Sequence, residues 1–110
     1  MVNSASEFTY LDCDYKTTSL EKGYSFNPVP ASLPENLHAK ILGIGCQMWG
    51  EWIPSIEKMN EQIYPRIAAY AETGWTKKES KNFSRFSTSL SSYLKAHWES
   101  KGIVLLPEFR

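Results

Sequence analysis

Cysteine is scarce in this chain of 110 residues, with Cys13 and Cys46 its only two. They are too few for a disulfide framework and sit in no Cys-x-x-Cys or Cys/His spacing, so neither a stapled scaffold nor a structural zinc site is indicated. Both fall on segments that read as strands, and buried free thiols and a bridge between adjacent strands stay open alternatives. Histidine is as sparse: His38 and His97 stand alone and are weak ligand candidates. An excess of either charge is missing too, because twelve basic and twelve acidic residues cancel. With no Lys/Arg cluster, neither nucleic acid nor an anionic membrane surface is implied. Long apolar runs are absent: none approaches the roughly 18 residues of a membrane span, and Met1-Val2-Asn3-Ser4-Ala5-Ser6-Glu7 lacks a basic region leading into an apolar one. A signal peptide and a membrane segment are therefore not expected, and the chain as given reads as soluble. No internal repeat or low-complexity segment is apparent.

What is present fits one domain or part of one, since domains most often run to about 100–150 residues. Residues 8–13 (Phe8-Thr9-Tyr10-Leu11-Asp12-Cys13) are rich in aromatic and β-branched types and predict a strand, with Tyr10 and Asp12 on one face and Leu11 and Cys13 on the other. The stretch up to Pro34 is punctuated by Gly23, Pro28 and Pro30 and reads as a long ordered loop, with a turn possible from Thr18 to Lys22. Residues 40–51 predict a second strand. Its even positions, Leu42, Ile44, Cys46 and Met48, call for an apolar layer such as helices. Its odd positions, Gly43, Gly45, Gln47, Trp49 and Glu51, begin small and end in an indole and a carboxylate.

Helical spacing follows over 54–75. Pro54 suits a first helical position, Ile56, Met59 and Ile63 share a face, Pro65 interrupts, and Ile67, Ala68 and Ala71 continue the stripe to Gly74. Thr76-Lys77-Lys78-Glu79 fits a capping box that starts a third helix over 78–101, on which Phe83, Phe86, Leu90, Tyr93, Leu94 and Trp98 mark one face. Ile103 to Leu106, stopped by Pro107, predict a last short strand or an extended tail. Trp52, Trp75 and Trp98 read as packing residues.

Strand, connection, strand, helices is the order of parallel α/β architecture, in which ligands gather at the carboxyl ends of strands. Tyr10, Asp12, Trp49 and Glu51 lie there. An aromatic face covers the apolar C–H patch of a pyranose, and carboxylates accept hydrogen bonds from its hydroxyls, so the four suit a sugar pocket. Two strands cannot close a barrel, and a (β/α)8 barrel typically needs about 250 residues.

Three motifs in order, Tyr10-Leu11-Asp12, then Leu42-Gly43 with Trp49-Gly50-Glu51, then Tyr64-Pro65-Arg66-Ile67-Ala68-Ala69-Tyr70-Ala71-Glu72-Thr73-Gly74-Trp75, resemble the C-terminal part of glycoside hydrolase family 20, the β-N-acetylhexosaminidases. The resemblance implies a partial (β/α)8 TIM barrel, its last two strand–helix units plus a C-terminal helix, occupying residues 1–110. It implies no cofactor and no metal, a parent that is an enzyme, and a partner class of N-acetylhexosamine-containing glycans. It also implies a substrate-assisted, retaining mechanism in which the substrate's own 2-acetamido group is the nucleophile. Tyr10 would donate to the acetamido carbonyl oxygen, Asp12 and Glu51 would accept from the sugar's C4 and C6 hydroxyls, and Trp49 would line the wall under the ring.

The chain departs from the family pattern at the chemistry. The family's adjacent Asp-Glu pair has no counterpart, because Asp12 and Asp14 are the only aspartates and neither precedes a Glu. The family's sugar-binding arginine of the first strand is likewise missing, and Gly45 stands where many members carry Gln or Glu. The isolated chain is thus expected to be inactive, supplying substrate-binding residues to a parent whose compartment the sequence does not fix; secreted, periplasmic and lysosomal locations all suit it. A non-catalytic carbohydrate-binding module is the alternative. Self-association of the isolated chain is expected as well, because a two-stranded parallel sheet exposes both edges. Arg66 and Glu72 read as structural contacts to neighbouring elements or solvent.

Overall fold

A computed structural model of the chain describes residues 1–109, so position 110 of the expected range 1–110 lies outside the described residues. The sheet is small. Strand β1 (Val2–Asn3) pairs in parallel with β2 (Gly43–Ile44), Val2 opposite Gly43 and Asn3 opposite Ile44. One further parallel bridge joins Tyr10 to Gln47. Between Asn3 and Tyr10 the chain advances seven positions, against three from Ile44 to Gln47. The surplus is taken up by a helical turn, α1 (Ser6–Thr9).

That turn replaces most of the strand expected over 8–13. The Phe8 and Thr9 amides both donate to the Ala5 carbonyl at 3.0 Å, and the Thr9 hydroxyl donates to the same oxygen at 3.0 Å. Local back-bonding of this kind competes with a ladder, and here it overrides the β propensity of Phe-Thr-Tyr. The strand expected over 40–51 contracts to Gly43–Ile44 and the bridge at Gln47 for a related reason: only there does a partner strand run alongside. Leu42, on the face expected to be covered by helices, is 78% exposed.

The expected loop before Pro34 contains a helix, α2 (Leu20–Ser25), whose N-terminus is capped by Ser19 accepting from the Lys22 amide at 3.1 Å. Its Gly23 allows close approach of Tyr70: a Cβ at Gly23 would lie 2.9 Å from the Tyr70 hydroxyl. Glu35–Lys40 form a short 3-10 turn. Within residues 54–75 lie α3 (Ile56–Ile63), capped by Ser55, and α4 (Arg66–Trp75), separated at the cis Tyr64–Pro65 peptide.

The third helix does not begin at the predicted capping box. Lys78–Ser80 make a 3-10 turn, and α5 (Phe83–Ser89) starts under Asn82, whose side chain accepts from the Arg85 amide at 2.9 Å. It runs through a wide π turn, Leu90–Leu94, into α6 (Lys95–Ser100). Gly102, at φ +79°, ends it: the Gly102 amide donates to Glu99 and the Ile103 amide to Trp98, the paired bonds of a Schellman motif. Residues beyond are an extended tail with Leu105 buried, closing in a 3-10 turn at Pro107–Phe109.

The core lies between α2, α4 and α5, where Tyr24, Ala69, Phe86 and Leu90 are buried against Leu20, Ala68 and Phe83. Ala69 is what lets the helices close on the Tyr24 and Phe86 rings, whose centroids lie 4.8 Å apart. The outside of the slab stays apolar in places. Trp52 and Trp75, read as packing residues, are 76% and 91% exposed, whereas Trp98 is partly buried with its ring edge-on to Tyr64 at 5.0 Å. The radius of gyration is 14.6 Å, above the about 13 Å of a close-packed domain of this size.

Candidate functional site

The site grows from the bridge between Tyr10 and Gln47. The Gln47 amide donates to the Thr9 carbonyl at 3.1 Å and the Leu11 amide to the Gln47 carbonyl at 2.8 Å, fixing the register of the two segments. Trp49 follows Gln47 by one turn of the strand pleat and so returns to the Tyr10 side. The two rings meet edge to face, with centroids 6.0 Å apart and planes at 61°. Trp49 remains 51% exposed, leaving part of its indole free for a ligand to cover.

Asp12 lies in the turn that follows Tyr10, partly buried. Its Oδ1 is buried and accepts no hydrogen bond from the described residues. A carboxylate oxygen withdrawn from water without a donor is costly, which marks it as an acceptor with an unmet need. Glu51 sits exposed in the turn after Trp49, closed by the Ile53 amide donating to the Gly50 carbonyl at 3.2 Å. Tyr10 and Trp49 are thus brought together, and Asp12 follows Tyr10 by two residues in the adjoining turn. Among the described residues no hydrogen bond, ion pair or ring contact ties Glu51 to them.

Behind the Asp12 turn lies a polar layer that faces the protein rather than a ligand. Arg66 is fully buried, and its guanidinium donates to the carbonyls of Leu11 (2.5 Å), Cys13 (2.9 Å), Thr18 (2.9 Å) and Gln62 (3.0 and 2.6 Å). Gln62 Nε2 donates to the carbonyls of Leu11, Asp12 and Cys13 at 3.4, 3.1 and 3.1 Å. The Tyr15 ring covers the guanidinium, and burial pushes the Tyr15 hydroxyl up to about 12 even though Arg66 opposes the shift. Tyr70 is likewise pushed up to about 12 by burial, and its hydroxyl donates to the Phe8 carbonyl at 2.5 Å.

The cysteines are separate free thiols, so the adjacent-strand bridge is not formed, and burial raises the Cys46 thiol above its ordinary value. Among the described residues no group of three or more His, Cys, Asp and Glu side chains is placed to hold a metal ion, and no helix is long and apolar enough to cross a membrane. A cleft of about 350 Å³ lies between Gly43–Cys46 and the α4 residues Ile67, Tyr70, Ala71, Gly74 and Trp75, and none of the four site residues lines it.

A sequence profile described as glycosyl hydrolase family 20, catalytic domain, matches residues 1–78. The chain belongs to glycoside hydrolase family 20. The β-hexosaminidase of Porphyromonas gingivalis is 37% identical over 73 residues, covering 66% of this chain and 9% of that protein. The β-hexosaminidase of Vibrio furnissii is 37% identical over 82 residues, covering 62% and 13%. A solved family 20 exo-β-N-acetylglucosaminidase from Vibrio harveyi, in complex with N-acetylglucosamine, superposes with a TM-score of 0.82 at 27% identity, over 99% of this chain and 19% of that one. The family 20 chain therefore spans between 9% and 19% of the length of these three relatives.

In this family 20 chain, sequence reasoning placed Arg66 among the structural contacts but missed Gln62, Tyr15 and Tyr70. No spacing rule pointed to Gln62, because it lies at the end of α3 while Arg66 begins α4 across the cis Tyr64–Pro65 junction. Glu72, read with Arg66 as structural, approaches Arg85 at 3.9 Å.

Proposed function

We propose that the chain is the C-terminal part of a β-N-acetylhexosaminidase TIM barrel and forms one wall of its sugar site. The parent hydrolyses terminal N-acetylglucosamine or N-acetylgalactosamine by the substrate-assisted retaining route. In that route the acetamido oxygen attacks the anomeric carbon, the glycosidic C–O bond breaks, and a Glu outside this chain protonates the departing oxygen. Tyr10 donates to the acetamido oxygen and holds it on the line of attack. Asp12 and Glu51 accept from ring hydroxyls, and Trp49 covers the C–H face.

The observation that carries this reading is the Tyr10–Trp49 edge contact with half of the indole left exposed; the buried, unpaired Oδ1 of Asp12, two residues on from Tyr10, adds an acceptor without a donor. Hydroxyl donors and an apolar ring face meet both needs at once. The test is hydrolysis of a chromogenic N-acetylglucosaminide by the 110-residue chain. No turnover above background is expected, because no residue here protonates the leaving oxygen; turnover at the rate of an intact family enzyme contradicts the assignment of the acid to the parent.

A second reading, self-association of the isolated chain, is supported by Leu42 and Trp75, 78% and 91% exposed near the open edge of β2. Two-stranded sheets are marginal alone and bare edges recruit partners. Size-exclusion chromatography with light scattering is expected to give a dimer or larger species, and a sharp monomer contradicts it.

A further inference from the structure

The Asp12 turn has little backbone structure of its own. Residues 11–13 belong to neither helix nor strand, and their ladder tie to the second segment is the single bond from the Leu11 amide to Gln47. Three successive carbonyls of this turn nevertheless share one pair of donors, Gln62 and Arg66. Fixing the carbonyls on both sides of Asp12 fixes its φ and ψ, and with them the direction of its Cα–Cβ bond. Both donors are buried, whereas the Trp49 indole is half-exposed. Arg66 has no carboxylate within ion-pair distance among the described residues, so its charge is spent on carbonyl oxygens and on the Tyr15 ring.

We infer that Gln62 and Arg66 are positioning residues for the Tyr10–Asp12–Trp49 wall, acting through the carbonyls of residues 11–13 and not through contact with a ligand. What the wall holds rests on the sugar reading above; how the wall is held does not. The pair works as a unit because α3 and α4 meet at the Tyr64–Pro65 junction with Gln62 and Arg66 on the same side, each bonded to carbonyls the other also reaches. Side-chain donors on two rigid helices thereby do for this turn what a sheet ladder does elsewhere.

The test is proton NMR on the isotopically labelled 110-residue chain, with Gln62→Met, which keeps the side-chain length and removes the donor, and Arg66→Lys, which keeps the charge and loses the fork. Two readouts report the wall: the cross-peak between the Tyr10 and Trp49 rings, and hydrogen exchange at the Leu11 amide. The Tyr24–Phe86 ring cross-peak reports the core. In Gln62→Met the core peak is expected to persist while the Tyr10–Trp49 peak weakens severalfold and Leu11 exchange accelerates by about tenfold or more, as for a local opening. Arg66→Lys is expected to do the same more strongly; should it not fold, Gln62→Met decides alone. Wall readouts unchanged in Gln62→Met overturn the inference, and so does their loss only in step with the core peak. A failure of the sugar reading shows itself separately, as wild-type resonances unmoved by N-acetylglucosamine.

Discussion

The guanidinium carbon of Arg66 lies 4.1 Å from the centroid of the Tyr15 ring, so a fully buried charge has an aromatic face on one side and carbonyl oxygens around its edge. The Tyr15 hydroxyl is anchored in turn by donating to the carbonyls of Glu61 and Tyr64 at 3.0 and 2.9 Å, and the Phe109 ring lies 5.2 Å from the Tyr15 ring. The C-terminal tail thus backs the residue that backs the site.

Removing this arginine leaves buried carbonyls without donors. Arg66→Met is expected to lower the free energy of unfolding by at least about 3 kcal/mol, and Tyr15→Phe, which loses the hydroxyl's one shared donor but keeps the ring, by about 1–2 kcal/mol. Urea titrations of the two variants check the order as well as the sizes.

Gly23→Ala ordinarily stabilises a helix by roughly 0.5–1 kcal/mol. Here the added Cβ meets the Tyr70 hydroxyl at 2.9 Å and its Cζ at 3.0 Å, and that ring is held by its bond to Phe8. The expected outcome is a loss of about 1–3 kcal/mol from overpacking. A thermal melt in which Gly23→Ala raises the midpoint contradicts the close packing of α2 on α4.

Helical spacing made the apolar stripes of α3 and α4 legible, with Pro65 marking their join. The α2 helix was hidden because Gly23 breaks its pattern and its packing partner, Tyr70, lies far along the chain. The short strands were hidden because alternation over Leu42 to Met48 describes side-chain type, while a ladder needs a neighbour, and α1 withdraws that neighbour between Asn3 and Tyr10. At the site, the family motifs drew attention to Tyr10, Asp12, Trp49 and Glu51. The clamp of Gln62 and Arg66 stayed invisible because its partners are backbone carbonyls, which carry no residue identity.

Alkaline pH gives a third test. Burial raises Tyr15 and Tyr70 to about 12 from the ordinary tyrosine value of 10.0, so the folded chain keeps protons that the unfolded chain releases. The stability these two groups contribute is complete below pH 10 and is lost as pH rises from 10 towards 12. Denaturation midpoints are expected to fall across that window, and less steeply in Tyr15→Phe and Tyr70→Phe.

Asp12→Asn separates stability from recognition. The buried Oδ1 has no donor to lose, so the variant's stability is expected to stay within about 0.5 kcal/mol of the parent chain or to rise. Glu51→Gln, at an exposed turn, is expected to be equally neutral. A large loss in Asp12→Asn, read from urea unfolding, shows that the carboxylate holds the fold and is not reserved for a ligand.

The most direct measurement is titration of the nitrogen-15-labelled chain with N-acetylglucosamine, with glucose as the sugar lacking the acetamido group. The Trp49 indole N–H and the Tyr10 and Asp12 amides are expected to shift at millimolar N-acetylglucosamine and much less with glucose. Resonances that stay still in both sugars, or move equally in both, contradict an acetamido-sugar wall.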